Sequence, residues 1–98
     1  MDVMILSGGY GMDGSCGIVV NEVQARLQKR AIRASIFRND LTAPPIIGTP
    51  GCWESDVVKQ LREMASRSHA LVLISPEYHG TMSSTMKLQL DWLSKEQL

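Results

Sequence analysis

The chain has 98 residues, enough for one small domain, and its hydrophobic share of 44% is that of an ordinary folded protein. Ten Lys and Arg residues balance ten Asp and Glu residues without a basic block, so the charge gives no support for binding nucleic acid or an anionic membrane. The apolar run behind Met1 is too short for a secretory signal, and no stretch reaches membrane-spanning length, so we expect a soluble, cytoplasmic protein.

A Gly-rich segment lies between the first predicted strand and the first predicted helix. A continuous apolar run predicts a strand buried on both faces at residues 3–6, and glycines recur from there to Gly17. Apolar residues at helical spacing predict a helix from Ile18 to about Arg30, with Ser15 as its N-cap.

A long loop separates the second strand from the second helix. Residues 34–37 predict the strand, and an apolar stripe predicts the helix from about Ser55 to Ser66. Between them, the loop from Arg38 to Trp53 contains three prolines, and its length indicates a functional segment or a lid.

The third strand gives the clearest signal in the sequence. Residues 70–74 are all apolar, which predicts another strand buried on both faces, and Pro76 ends it. A third helix begins near Ser83 or Ser84. This β-α-β-α-β-α order predicts an α/β fold, a parallel sheet with helices on both faces. The first and third loops then meet at the carboxyl edge of the strands, where such sheets bind ligands.

The first loop matches two nucleotide-binding patterns only in part. Gly9, Gly11 and Gly14 have the spacing of a Rossmann dinucleotide fingerprint, but the loop is longer than that tight turn requires. The acidic residue expected after the second strand is only loosely matched by Asp40. A P-loop is excluded because Ser15 stands where its lysine must be.

A loop that holds a monophosphate is the third interpretation of the same segment. Glycines such as Gly9 expose backbone N–H groups, and the start of a helix favours an anion. Ser7, Tyr10 and Ser15 can add hydroxyl groups to such a site. A Gly-rich turn that binds nothing also stays open.

The two cysteines give no sign of a metal site. Cys16 and Cys52 have no short spacing to each other or to His69 and His79, whereas a zinc site needs ligands paired a few residues apart. We expect both thiols to be reduced and non-catalytic, and we expect no metal.

The segment from Leu73 to Ser94 resembles the NADPH-dependent FMN reductase family. Its Ser75-Pro76-Glu77-Tyr78-His79-Gly80 is similar to the family's Thr/Ser-Pro-Glu-Tyr-Asn/His-Gly loop. As in the family, a patch of small residues and a Lys-led helix ending in Asp91-Trp92 follow it. Weaker similarity extends over the whole chain. The first loop departs from the family pattern, which usually places an arginine between its serines, because residues 10–13 contain none.

The resemblance implies a flavin enzyme with a flavodoxin-like fold. Such an enzyme binds FMN, takes hydride from NADPH or NADH, and reduces a small electron acceptor such as flavin or quinone. In the family, the loop after the third strand lines the flavin ring, and its backbone amides face the polar edge of that ring. By position, these residues are Pro76, Glu77, Tyr78, His79 and Gly80. Fixed N–H donors stabilise the negative charge of the reduced ring, so no catalytic acid or base is expected.

The same resemblance predicts that this chain holds only part of the fold. A flavodoxin-like sheet has the strand order 2-1-3-4-5, so we expect residues 1–98 to be one domain truncated after the third β-α unit. An open edge at the third strand predicts a homo-oligomer or a pairing with a missing C-terminal half. Two other functions stay open: a non-catalytic half-domain that assembles with itself or a partner, and a Rossmann-type NADP-binding module.

Overall fold

The structure is a computed structural model that describes residues 1–9 and 11–97. Its main elements alternate between strand and helix as the sequence predicts. In chain order they are β1 (Asp2–Ser7), α1 (Ser15–Lys29), β2 (Arg33–Ile36), α2 (Asp56–Arg67), β3 (Ala70–Ile74), β4 (Glu77–Tyr78), β5 (Thr81–Met82) and α3 (Ser84–Asp91). A short 3-10 helix, Cys52–Glu54, precedes α2. No helix in the described ranges is long and apolar enough to cross a membrane.

The sheet has β1 at its centre, in the order β2-β1-β3, and all three strands run parallel. Val3 of β1 lies level with Ala34 of β2 and with Ala70 of β3. This order is that of the first three strands of a flavodoxin-like sheet, whereas a Rossmann sheet places its third strand beyond the second. The predicted α/β, flavodoxin-like fold is confirmed, and the sheet order contradicts the Rossmann-type alternative.

Alternate residues of β1 face two separate layers of helices. Met4 and Leu6 pack on one face, in a cluster with Leu61 of α2 and with side chains of α3. Ile5 packs on the opposite face against Val20 of α1. Met4, Ile5 and Leu6 are fully buried, so β1 is buried on both faces as predicted.

β3 is less buried than the sequence predicts. Its residues are half-buried or exposed, and Leu73 leaves 48% of its surface accessible. The cause is its place in the sheet, because β3 pairs with β1 on one side and with no strand on the other within residues 1–9 and 11–97. An apolar strand at such an edge is a surface on which a further strand can pair.

The three helices begin differently. The hydroxyl oxygens of Ser55 and Ser83 accept backbone N–H groups at the starts of α2 and α3. At α1 the N-cap is Gly14, no side chain among the described residues caps the helix, and Ser15 is the first helical residue. The predicted N-cap role of Ser15 is therefore wrong. The first turn closes one residue earlier, since Ile18 donates its N–H to the carbonyl oxygen of Gly14 at 3.1 Å.

The long loop between β2 and α2 is tied to the end of α3. The indole N–H of Trp92 donates to the carbonyl oxygen of Pro45 at 2.7 Å, and the Trp92 side chain is buried against the sheet. The exposed ring of Trp53 meets that of Trp92 edge-on, with centroids 5.1 Å apart. This loop is therefore anchored at its middle and at its end rather than hanging free.

Candidate functional site

A cleft of about 250 Å³ opens at the carboxyl edge of the sheet, between the β1–α1 loop and the segment after β3. Its lining residues are Gly9, Gly11, Gly14, Ser15, Cys16, Gly17, Pro76 and Tyr78. The chain leaves β1 for β2 on one side and returns to β3 on the other, so the cleft lies where the strand order reverses. The two loops that the sequence indicates are thus brought together.

The N-terminus of α1 forms one end of this cleft. The first backbone N–H groups of any α-helix have no partner inside it, and a side-chain cap normally satisfies one or more of them. Gly14 cannot supply such a cap, and the first turn of α1 contains no acidic residue. Because the helix dipole adds a positive potential to these free donors, this end of the cleft favours an anion such as phosphate.

Two glycines allow the β1–α1 loop to pack against its neighbours. A Cβ atom at Gly8 would lie 2.5 Å from the Oγ atom of Ser83. At Gly17, a Cβ atom would collide with the backbone carbonyl group of Met12. Since backbone cannot rotate away as a side chain can, α1 lies against the loop only with glycine at position 17.

The residues predicted to bind phosphate lie in different places. Gly9 and Ser15 line the cleft, and Ser15 is exposed. Ser7 is buried, and its Oγ atom accepts the N–H of Gly9 at 3.2 Å, so this oxygen stabilises the backbone of its own loop. Tyr10 lies outside the described residues. Phosphate binding by these four residues stays a prediction.

The charged side chains near the loop face a different cleft. No lysine or arginine in the described part of the chain lines the first cleft. Asp13 lines a second one, of about 570 Å³, together with Arg38 and Asp40. The guanidinium group of Arg38 donates two hydrogen bonds to the Asp40 carboxylate, at 2.8 and 2.7 Å, and this lowers the pKa of Asp40. Arg38 is thus engaged by Asp40.

The segment after β3 is a hairpin, which the sequence pattern did not reveal. Strands β4 and β5 pair antiparallel, with Tyr78 opposite Thr81. His79 and Gly80 connect them with φ angles of 52° and 81°. A two-residue type I′ turn requires positive φ at both central positions, which a Gly preceded by Asn, Asp or a similar residue supplies. The His-Gly pair was the available signal for this turn.

The five residues predicted to line the flavin ring are divided between the wall of the cleft and the hairpin tip. Pro76 and Tyr78 line the cleft. Glu77, His79 and Gly80 are exposed on the hairpin and do not line it. In the part of the chain that the structure describes, the backbone N–H groups of His79 and Gly80 have no acceptor. They are free donors, and contact with a flavin ring stays a prediction for all five residues.

Comparison with known proteins identifies the family of this chain. The sequence model of the family described as NADPH-dependent FMN reductase matches residues 1–98. The chain belongs to this family. It is similar to two proteins named NADPH-dependent FMN reductase ArsH. The chain is 30% identical to the Shigella flexneri protein over 95 residues, which is 96% of this chain. It is 47% identical to the Rhizobium meliloti (strain 1021) protein over 36 residues, which is 37% of this chain.

The chain is much shorter than these two members of the FMN reductase family. The alignment spans 36% of the Shigella flexneri protein and 15% of the Rhizobium meliloti protein.

Hydrogen bonds beneath the cleft of this FMN reductase family member join the residues after the hairpin, including α3, to the end of β1 and the start of the β1–α1 loop. The hydroxyl of Ser83 donates to the carbonyl oxygen of Gly8 at 2.7 Å, and the Oγ atom of Ser75 accepts the N–H of Ser83 at 3.0 Å. The side-chain amide of Gln89 donates to the carbonyl oxygen of Ser7 at 2.8 Å. No local pattern predicts the contacts to Gly8 and Ser7, because their partners lie 75 and 82 residues away in the sequence.

The cysteines take no part in a cluster of metal ligands. Both are free thiols; Cys52 is buried in the core and Cys16 lines the cleft beside Gly9. Across residues 1–9 and 11–97, no three side chains of the metal-binding types lie close enough together to hold an ion.

Proposed function

We propose that this chain is the part of an NADPH-dependent FMN reductase that holds the phosphate of FMN and one side of its ring. The observation that carries this proposal is the cleft between the start of α1 and the hairpin. Its α1 end has no side-chain cap among the described residues, and Pro76 and Tyr78 form its hairpin wall, with the free N–H groups of His79 and Gly80 at the adjacent tip. Membership of the FMN reductase family supports the choice of ligand.

The phosphate end fits FMN through backbone groups rather than a cation. The first-turn N–H groups of α1 and the hydroxyl of Ser15 are the donors for the phosphate, and Gly9 lets the loop approach it closely. Asp13 lines the second cleft, which shares Gly9 and Gly11 with this one, so its carboxylate is not among the groups that line the phosphate end. The buried Ser7 hydroxyl oxygen accepts the N–H of Gly9 and so stabilises the backbone of the loop.

The ring end fits the flavin through the hairpin. Pro76 and Tyr78 form a wall of the cleft, and the N–H groups of His79 and Gly80 are donors for the polar edge of the ring. FMN, when bound, supplies hydride acceptance from NADPH or NADH and electron delivery to a small acceptor such as flavin or quinone. Fixed amides stabilise negative charge without titrating, so we assign no catalytic side chain.

The edge of β3 is the surface through which we propose that the chain assembles. Its apolar residues, with Leu73 48% exposed, are suited to pairing with a strand of a second copy or of a longer protein. An assembly role without flavin is the second candidate function, and the same edge favours it. Analytical ultracentrifugation with and without FMN separates the two, because only the reductase sediments with the absorbance of flavin.

The test of the proposed function is a titration of the chain with FMN, followed by NADPH. We expect a shifted flavin absorbance band at a stoichiometry of one, bleaching on adding NADPH without oxygen, and return of the colour with quinone. Riboflavin is the matched control ligand because it lacks only the phosphate. Absence of any FMN-dependent spectral change at millimolar protein and flavin would contradict the proposal for this chain.

A further inference from the structure

We propose that the hydroxyl of Ser83 is a positioning group that locks the β1–α1 loop to the β4–β5 hairpin. The lock would keep the phosphate end and the ring end of the cleft at a fixed separation. Its consequence for flavin binding rests on the proposed function, whereas the lock itself is a property of the chain without ligand.

The first observation is that one hydroxyl bonds to two elements. Ser83 lies between β5 and α3 and is 2% exposed. Its Oγ atom accepts the N–H of Met86 at 3.1 Å, which caps α3, and donates its proton to the carbonyl oxygen of Gly8 at 2.7 Å. A cap that also donates to a distant loop is more than a helix-starting device, because capping needs only an acceptor.

The second observation is that Gly8 is held on both sides of its backbone. Its N–H donates to the carbonyl oxygen of Ile74, at the end of β3, at 2.8 Å. Its carbonyl accepts from Ser83, whose own N–H donates to the Oγ atom of Ser75 at 3.0 Å. The first residue of the β1–α1 loop is therefore bonded to Ile74 before the hairpin and to Ser83 after it.

The third observation is how little space this contact leaves. A Cβ atom at Gly8 would lie 2.5 Å from the Oγ of Ser83, 2.8 Å from the Oγ of Ser75 and 2.9 Å from the Cβ of Met86. The hydrogen bond from Ser83 is consequently buried, and a buried carbonyl that loses its donor bears the full cost of desolvation. Loss of this hydroxyl would weaken the loop and the hairpin together.

Ser55 provides a matched control for Ser83. Its Oγ atom caps α2 by accepting the N–H of Val58 at 3.3 Å, and it makes no hydrogen bond to another loop among the described residues. S83A and S55A thus each remove one serine cap. Only S83A also removes a donor to the first loop.

Hydrogen exchange of the ligand-free chain tests the lock. In S83A we expect amide exchange to rise about tenfold both at the hydrogen-bonded amides of Gly8 and Gly9 and at the paired residues of the hairpin, as expected from loss of one buried hydrogen bond. In S55A we expect the rise to stay in the first turn of α2. A rise confined to the first turn of α3 in S83A would show that Ser83 is only a cap and would overturn the proposal.

A second variant decides the matter if S83A does not fold. S75A removes the acceptor that holds the N–H of Ser83, and we expect it to raise exchange at the amides of Gly8 and Gly9 as well as in the hairpin. A rise in the hairpin alone overturns the lock.

Flavin binding then tests its consequence. The ratio of the dissociation constants of riboflavin and FMN measures what the phosphate contributes, and we expect it to fall about tenfold in S83A and to stay constant in S55A. An unchanged ratio in S83A overturns the positioning role. If wild-type protein binds no FMN, the proposed function fails while the exchange data still decide whether the lock exists.

Discussion

At the scale of the residue, the tip of the hairpin depends on backbone conformation more than on side-chain chemistry. His79 and Gly80 both have positive φ. Among the described residues, His79 and Ala31 are the two non-glycine residues with this conformation. Asn is enriched several-fold in this region, whereas a β-branched residue is a true outlier there. The conformation of His79 therefore favours a role in the shape of the loop.

The His79→Asn and His79→Val variants separate shape from chemistry. We expect His79→Asn to retain FMN binding and to change the free energy of unfolding by less than about 0.5 kcal/mol. His79→Val should lower it by about 1–2 kcal/mol, because Val is strained at a φ of 52°. Urea unfolding and flavin titration measure both effects. If His79→Asn folds normally but no longer supports bleaching by NADPH, the imidazole takes part in the chemistry.

Gly17 shows how a local preference is overruled by a tertiary contact. Alanine in a helix interior is ordinarily favoured over glycine by about 1 kcal/mol. At position 17, however, the new methyl group would collide with the backbone of Met12. We expect Gly17→Ala to lower the free energy of unfolding by about 1–3 kcal/mol, since overpacking outweighs the gain in propensity.

Gly14→Ala is the control for that substitution. A Cβ atom there meets nothing within 4 Å, and the φ angle of −84° suits any residue. Its cost should stay below about 1 kcal/mol, the usual effect of alanine at an N-cap. A Gly17→Ala protein more stable than wild type in thermal unfolding would contradict the close contact between α1 and the loop.

At the scale of the element, α1 differs from α2 and α3 because it has no side-chain cap. Serine caps α2 and α3 at Ser55 and Ser83, whereas α1 begins after Gly14, beside the cleft. A helix start that is left uncapped retains its donors for a ligand, at some cost to the stability of the ligand-free protein.

Gly14→Asp should therefore change stability and binding in opposite directions. An aspartate N-cap satisfies a first-turn N–H and suits the helix dipole, so we expect the free energy of unfolding to rise by about 0.3–1 kcal/mol. The same carboxylate competes with and repels a phosphate, so FMN affinity should fall at least about tenfold while riboflavin affinity stays constant. Equal losses of affinity for FMN and riboflavin would show that the phosphate does not bind at the start of α1.

The elements also show what local sequence patterns can and cannot predict. Apolar runs and helical spacing predicted the three parallel strands and three helices, because burial on two faces leaves a strong periodic signal. The hairpin escaped prediction because strands of two residues, Glu77–Tyr78 and Thr81–Met82, are too short to carry a period. Ser15 was misplaced as the N-cap because serine is also common inside the first turn, and only geometry distinguishes the two positions.

At the scale of the whole molecule, the family resemblance predicted the order of the sheet, whereas the long-range contacts required the structure. The burial of β3 was overestimated, since the composition of a strand does not indicate whether it lies at the edge. The bonds from Ser83 to Gly8 and from Trp92 to Pro45 join residues 75 and 47 positions apart, so no local sequence pattern contains both partners. Two of the predicted ring residues, Pro76 and Tyr78, do lie in the cleft with Gly9 and Ser15.

Trp92 links the long loop to the rest of the molecule. Trp92→Phe removes the donor to the Pro45 carbonyl and leaves a space in the core, so we expect a loss of about 1–3 kcal/mol in the free energy of unfolding. It should also speed proteolysis within residues 38–53. Trp53→Phe is the control, because Trp53 is 65% exposed, and it should cost less than about 1 kcal/mol. Equal urea midpoints for the two variants would contradict the anchoring role of Trp92.

The most direct measurement is an amide NMR titration of the ¹⁵N-labelled chain with FMN. Binding of the phosphate at the start of α1 and of the ring at the hairpin predicts the largest shift changes at Ser15, Cys16 and Gly17, and at His79 and Gly80. Riboflavin should reproduce the changes at the hairpin and lose those at α1. Shift changes centred on Arg38, Asn39 and Asp40 in the second cleft, with α1 and the hairpin unchanged, would contradict the assignment of the flavin site.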